Sequence, residues 1–110
     1  MTWVPPYATD ISRSRIDESF GGMGMKDGLT HIGLQFWRPT QEGQIELVDN
    51  FKPIDDSTII SFRKWGNVHN VRVLLCIYNG TREGWNWSLA KNAFDSYRKQ
   101  FIKALVAETV

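Results

Sequence analysis

The side chains best suited to recognising a ligand are aromatic rings and an amide that lie at the ends of predicted strands or in the loop after the last strand. They are Tyr7, Trp37, Tyr78, Asn79 and Trp85, with Trp87 close by. The flat apolar face of such a ring can stack on the C–H face of a pyranose, and phenol and amide groups can hydrogen-bond to its hydroxyls. These residue types would suit a surface that binds carbohydrate. The alternative is that the rings pack between loop and helix, and that Asn79-Gly80 is only a turn.

The residues capable of covalent or metal chemistry have no suitable partners in the sequence. Cys76 is the single cysteine, which excludes an intrachain disulfide and a multi-cysteine zinc site, and its apolar surroundings predict a buried, unreactive thiol. His31 lies within a predicted strand, and His69 has no serine or cysteine partner by spacing. Asp55-Asp56 is typical of a helix start. By residue type and spacing, these side chains are therefore more typical of structural positions than of a catalytic or metal-binding site.

Length and charge exclude several classes of protein. The chain has 110 residues, 42% of them hydrophobic, which fits a single domain over residues 1–110. Its net charge of +1 gives no support for a nucleic-acid or polybasic membrane partner. No apolar run is long enough to span a bilayer. The first residues lack the basic and apolar parts of a signal peptide, so a cytoplasmic and a mature secreted location both stay open.

The elements that position these residues alternate between strand and helix. We predict strands at 2–4, 29–37 and 71–78, a short alternating strand at 44–48, and helices at 10–20, 55–66 and 89–108. The strand at 71–78 is apolar on both of its alternating faces, which is typical of a parallel strand covered on both sides. The order predicts an α/β fold built from right-handed βαβ units on a parallel sheet.

The helix boundaries carry recognisable signals. Asp55 is the predicted N-cap of the second helix and Gly66 its stop. Asn86 or Ser88 is the N-cap candidate of the last helix, and no C-cap glycine closes that helix. Three parallel strands alone would leave their apolar faces poorly buried. We therefore expect the chain to be the leading part of a larger α/β domain.

Three strands and the last helix resemble one known family. Trp3-Val4-Pro5-Pro6-Tyr7 resembles the first barrel strand of glycoside hydrolase family 18, the chitinase and spore-lysin-like group. Residues 29–36, LTHIGLQF, are similar to its second strand, and 71–78 stands where its third strand falls. Residues 101–106, FIKALV, resemble the helix that precedes its fourth strand. The resemblance implies the first three βα units of a TIM (β/α)8 barrel, incomplete in this chain.

This resemblance also implies a function. The family hydrolyses glycans that contain N-acetylglucosamine, with the substrate's own N-acetyl group as nucleophile and the last Glu of DxxDxDxE as general acid. That motif occurs nowhere in the 110 residues. The resemblance thus implies an inactive fragment that has no catalytic residue, needs no metal or organic cofactor, and contributes substrate-binding residues at the carboxyl ends of its strands, namely Tyr7, Trp37, Tyr78, Asn79 and Trp85.

Two other functions remain open from the sequence. One is a non-catalytic, lectin-like relative that keeps the sugar groove. The other is a small stand-alone α/β interaction domain whose sheet edges are completed by a partner. The partner expected besides a glycan is the remainder of the barrel or a second copy of the chain, with no nucleic acid and no membrane.

Overall fold

The computed structural model describes residues 1–48, 54–81 and 83–109, which form an α/β arrangement around a four-stranded sheet. Among these residues, no helix has both the length and the hydrophobicity needed to cross a membrane. In chain order the elements are β1 (Thr2–Val4), α1 (Thr9–Asp17), β2 (Ser19–Phe20), β3 (Met23–Gly24), α2 (Met25–Gly28), β4 (His31–Pro39), β5 (Ile45–Leu47), α3 (Asp56–His69), β6 (Arg72–Ile77), β7 (Gly80–Thr81), β8 (Gly84–Trp85), α4 (Trp87–Phe94) and α5 (Arg98–Thr109).

The longest strand, β4, is the centre of the sheet. It pairs in parallel with β1, with Val4 opposite Leu34, and in parallel with β6, with Leu34 opposite Leu75. The predicted parallel pairing of the three strands is confirmed. The short strand predicted at 44–48 is β5, which pairs antiparallel with the far end of β4.

A bulge in β4 breaks the inside-outside alternation of its side chains. Between Leu34 and Trp37, β4 advances three residues while β6 advances from Leu75 to Ile77, so β4 contains one extra residue. As a result, Phe36 and Trp37 both enter the core, with ring centroids 5.9 Å apart. The ring of Phe36 also meets the edge of Phe62 from α3 at 6.1 Å. Phe36 thus anchors α3 to the sheet, and Trp37 packs beside it.

The helix α3 packs closely on β6 at Gly66. A β-carbon at this position would lie 2.6 Å from the carbonyl oxygen of Val71 and 2.6 Å from Cγ2 of Val73. The prediction that Gly66 ends the helix is wrong, because this glycine serves close packing in the helix interior. The helix continues to His69 and ends at Asn70, whose φ of 56° is left-handed. At the other end, Asp55 is confirmed as N-cap, since its carboxylate accepts a 2.9 Å hydrogen bond from the Thr58 N–H.

The helices α1 and α3 lie on the same face of the sheet. Ile16 of α1 is buried in the core, and the Arg13 guanidinium lies 5.7 Å from the ring centroids of both Phe62 and Trp65. The end of α5 is on this side too, because Glu108 and Thr109 line a cavity of about 520 Å³ whose other walls include α3 and β6. On the opposite face, the Trp3 ring lies over Gly33 beside the Cys76 thiol.

The strand β6 differs from the expected doubly covered strand. Within the described ranges it pairs with β4 alone, and its residues 73–77 are all half-buried. An apolar pattern on both alternating faces therefore belongs here to an edge strand. The sequence pattern reports hydrophobicity, whereas the coverage of a strand depends on how many neighbours reach it.

The long helix predicted for 89–108 is two helices, α4 and α5, separated at Asp95–Tyr97. Asp95 adopts φ −117° and ψ −83°, outside the helical region. Tyr97 packs against Gly43 in the turn between β4 and β5, and the Asn92 amide donates a 3.3 Å hydrogen bond to the Gln41 carbonyl in the same turn. These contacts fix the break. Of the two N-cap candidates for the first segment, the structure uses Asn86.

The helix predicted at 10–20 is shorter in the structure, and the glycine-rich residues 21–28 that follow it are structured. The helix α1 ends at Asp17, and the next residues form the two-stranded hairpin of β2 and β3 followed by the one-turn helix α2. The Asp27 carboxylate accepts a 2.6 Å hydrogen bond from the Gly24 N–H. This segment closes on itself and forms a structured turn.

Candidate ligand-binding surface

Two predicted site residues, Tyr7 and Tyr78, lie where the parallel strands end, together with Arg38, the residue after Trp37. Because β1, β4 and β6 run in the same direction, the residues that follow them meet at one edge of the sheet. Tyr7 follows β1, Arg38 lies near the end of β4, and Tyr78 follows β6. Burial raises the pKa of the Tyr78 phenol, the positive charge of Arg38 opposes this rise, and Tyr7 adds to it. Arg38 and Tyr7 are therefore both near enough to Tyr78 to act on its phenol electrostatically.

The position of Tyr78 is fixed by backbone and ring contacts. Its N–H donates a 3.1 Å hydrogen bond to the Trp37 carbonyl. Its ring lies against Gly80, where a β-carbon would be 2.6 Å from Cε2 of Tyr78 and 3.7 Å from Cζ3 of Trp85. The lack of a side chain at Gly80 thus leaves room for the Tyr78 ring close to the edge of Trp85.

A small hairpin of β7 and β8 carries Trp85 beside Tyr78. The Asn79 side-chain amide donates a 3.2 Å hydrogen bond to the Asn86 carbonyl, and the Asn86 N–H donates a 2.9 Å bond to the Asn79 carbonyl. The Thr81 hydroxyl also donates to the Gly84 carbonyl at 2.9 Å. Asn79, predicted as a ligand-binding residue, therefore closes the base of the hairpin through its amide nitrogen.

The rings around Tyr78 are largely open to solvent. The exposed fractions are 66% for Tyr7, 66% for Trp85 and 71% for Trp87. Tyr78 is the neighbour they share, since it couples electrostatically to Tyr7, lies beside Trp85 at Gly80, and lines one cavity with Trp87. We call Tyr7, Tyr78, Trp85 and Trp87 the aromatic surface. Exposing this much aromatic area is unfavourable without a partner, which makes the surface a candidate binding site.

Trp37 is not part of this surface. It was expected to present its ring to a ligand at the end of its strand, but it is only 4% exposed. The bulge in β4 turns it into the core beside Phe36. The ring packs inside the fold, as the alternative interpretation of the sequence proposed.

Arg38 is the residue near this surface that the sequence reasoning missed. Its Nε donates a 2.8 Å hydrogen bond to the Glu46 carboxylate across the β4–β5 pair, and these two residues are opposite each other in the register. Two residues of opposite charge that lie equally far along the chain on either side of a glycine-containing turn are a sequence signal for such a cross-strand pair. The guanidinium is thus held beside the rim of the aromatic surface.

The remaining candidate residues do not assemble a catalytic or metal site in the described ranges. The groups of His, Cys, Asp and Glu that the structure describes contain no cluster of three that could hold a metal ion. His31 Nδ1 lies 2.8 Å from the Thr30 hydroxyl, and the ring of His69 is tilted by 45° against that of Trp65, with a centroid distance of 4.8 Å. Burial raises the pKa of the Cys76 thiol, which disfavours the nucleophilic thiolate.

Neither the family models nor the curated proteins compared with this chain match it. The aromatic surface is accordingly interpreted from its own residues and geometry. What it can offer a ligand is stacking on exposed rings and hydrogen bonds from phenol groups.

Proposed function

We propose that the aromatic surface binds a glycan, and that the chain is part of a glycoside hydrolase family 18-like barrel acting on glycans that contain N-acetylglucosamine. The observation that carries the proposal is the cluster of largely exposed rings around Tyr78 at the carboxyl ends of the parallel strands. A sugar has apolar C–H faces that suit such rings and hydroxyls that suit the phenols. A flat aromatic surface is therefore better suited to a glycan than to a highly charged ligand.

The arrangement of helices supports the barrel part of this proposal. The strands β1, β4 and β6 are neighbours in the sheet in the order of the chain, and α1, α3 and the end of α5 lie on one face. A (β/α)8 barrel keeps all of its helices on the outer face, whereas a doubly wound sheet places helices on both faces. The one-sided arrangement favours the barrel over the doubly wound sheet.

In this proposal the chain contributes binding rather than chemistry. The residues Tyr78, Trp85 and Trp87 stack on sugar rings, and Tyr7 hydrogen-bonds to hydroxyl groups. No catalytic role is assigned to any residue here, because DxxDxDxE is absent from the 110 residues. A lectin-like relative would use the same surface in the same way, so glycan binding is the property to measure first.

The test is isothermal titration calorimetry of the 110-residue chain with the tetramer of N-acetylglucosamine. The wild-type chain should bind, and Trp85→Ala and Trp87→Ala should each weaken binding about fivefold to tenfold, since one aromatic contact is worth about 1 kcal/mol. Ile11→Ala is the matched control, because Ile11 is equally exposed, at 67%, but lies on α1. An Ile11 variant that loses as much affinity as the tryptophan variants, or a wild-type chain that does not bind, would reject the proposal.

The second candidate function is a stand-alone α/β interaction domain. The observation that favours it is the half-buried edge strand β6, which pairs on one side only among the described residues. A second copy of the chain could extend the sheet along this edge. Light scattering coupled to size-exclusion chromatography should then give a dimer that Leu74→Lys converts to a monomer. A wild-type monomer at high concentration would argue against this candidate.

A further inference from the structure

We propose that a cavity beneath the aromatic surface is a binding site for an alkyl or aryl group attached to a sugar. The cavity has a volume of about 350 Å³ and lies between the ends of β4 and β6 on one side and the helices α4 and α5 on the other. This volume is near the lower end of the range for small-molecule sites, roughly 300–1000 Å³. It has room for a chain of about eight carbons or for a small aromatic ring system.

Most of the cavity wall is apolar. This part is formed by Pro39, Ile77, Ala90, Ala93, Phe101 and Leu105. No charged side chain of the described residues lines it. The apolar part of the wall offers the hydroxyls of a sugar ring no hydrogen-bond partner. The occupant that the walls favour is therefore a hydrocarbon group.

The cavity lies beside the break between α4 and α5. The edge-to-face contact of Phe94 and Phe101, with centroids 5.7 Å apart, joins the two helices near the break. On α4, the inward positions are the small residues Ala90 and Ala93, three positions apart and thus on one side of the helix. Larger side chains at these positions would fill the space, which gives a direct way to close it.

One end of the cavity is polar and continuous with the aromatic surface. Tyr78 and Asn79 line this end, and Trp87 lines the cavity while remaining 71% exposed. A ligand that extends from the surface into the cavity would thus keep its sugar on the aromatic rings and place its apolar substituent inside. The sugar half of this ligand rests on the proposed function, whereas the hydrocarbon half rests on the cavity alone.

The experiment compares two sugars that differ only in their apolar group. Octyl β-D-glucopyranoside, kept below its micelle concentration, and methyl β-D-glucopyranoside are titrated into the 110-residue chain by calorimetry. The octyl compound should bind at least tenfold more tightly, because each buried methylene contributes favourably. Ala90→Leu should abolish this tenfold difference by filling the cavity.

The control is Ala107→Leu, the same change at an exposed position of α5 that does not line the cavity. It should leave the preference for the octyl compound unchanged. As a second variant, Leu105→Ala enlarges the cavity and should raise the affinity for the decyl glucoside relative to the octyl glucoside by about threefold. Circular dichroism and thermal melting of each variant separate lost binding from lost folding.

The outcomes separate this inference from the proposed function. Equal binding of the octyl and methyl glucosides, or an Ala90→Leu chain that keeps the octyl preference, would overturn the cavity site. Failure of the N-acetylglucosamine tetramer to bind would reject the glycan proposal, while an octyl preference that Ala90→Leu removes would still support the cavity as a hydrocarbon site.

Discussion

The indole N–H of Trp65 donates a 2.6 Å hydrogen bond to the carboxylate of Asp17, which joins the middle of α3 to the last residue of α1. Arg13, one turn earlier on α1, bonds to the same carboxylate at 3.2 Å and also lies over the Trp65 ring. The two helices are therefore connected by one small polar group of residues. This group holds α1 on the side of the sheet that α3 occupies.

Asp17→Ala should destabilise the fold by about 1–2 kcal/mol, because the partly buried Trp65 N–H loses its acceptor. Asp17→Asn keeps an oxygen at this position and should cost less. Urea denaturation followed by tryptophan fluorescence measures both variants. Ser14→Ala, at an exposed position of the same helix, is the comparison. Equal stability of Asp17→Ala and the wild type would show that the hydrogen bond contributes nothing.

The stability of the chain should fall at acidic pH in a way that depends on Asp17. Burial alone raises the pKa of Asp17, but the hydrogen bond from Trp65 and the charge of Arg13 outweigh it, so the pKa lies below its ordinary value of 3.8. A carboxylate with a lowered pKa in the folded state stabilises the fold above its unfolded pKa and loses this contribution as the pH falls through the folded value.

Denaturant midpoints measured from pH 6 down to pH 2 should therefore drop below about pH 4, and the drop should be smaller in Asp17→Asn. The carboxylate is partly exposed, so salt should weaken the effect. Identical pH profiles for the wild type and Asp17→Asn would mean that other carboxylates cause the acid sensitivity.

Gly66→Ala should destabilise the fold by about 1–3 kcal/mol. The added methyl group would press against the Val71 carbonyl and the Val73 side chain, so α3 would have to move away from β6. Gly28→Ala is the matched control, since a β-carbon there meets nothing within 4 Å, and it should be neutral or slightly stabilising. Thermal melting of the two variants measures the difference. A Gly66 variant as stable as the Gly28 variant would contradict the close packing at this point.

Gly80→Ala should weaken glycan binding with little change in stability. A methyl group at this position would push the Tyr78 ring away from Trp85 and disturb the spacing of the aromatic surface. The rings are side chains that can rotate, so the fold should tolerate the change. Calorimetry with the N-acetylglucosamine tetramer should give a loss of about fivefold in affinity. An unchanged affinity would mean that the ligand does not need the Tyr78 ring close to Trp85.

The strand positions and the N-cap of α3 were accessible from the sequence because they depend on neighbouring residues. The alternating residues of β4 and the apolar run of β6 predicted two strands, and Asp55 before Ser57 and Thr58 predicted the N-cap of α3. Parallel pairing followed from the order of strands and helices. In each case the signal lies within a few residues of the feature that it predicts.

The features that sequence reasoning missed depend on contacts between distant segments. The bulge in β4 that buries Trp37 is defined against its partner strand β6, and the break between α4 and α5 is fixed by Tyr97 against Gly43. Gly66 was misread for the same reason, since its neighbour across the interface, Val73, lies on another element. Among the candidate site residues, Tyr78, Asn79 and Trp85 lie close together, and Tyr7 acts electrostatically on Tyr78, whereas the bulge turns the ring of Trp37 into the core.

The turn between β4 and β5 holds both helices of the C-terminal half, through Gln41 to Asn92 on α4 and through Gly43 to Tyr97 between α4 and α5. The conformation of this turn therefore affects how α4 and α5, which form walls of the hydrocarbon cavity, lie relative to each other. Insertions in this turn would tilt the two helices against each other and change which lengths of ligand hydrocarbon chain fit the cavity. Variation in the length of the turn would thus change ligand selectivity without altering any residue that touches the ligand.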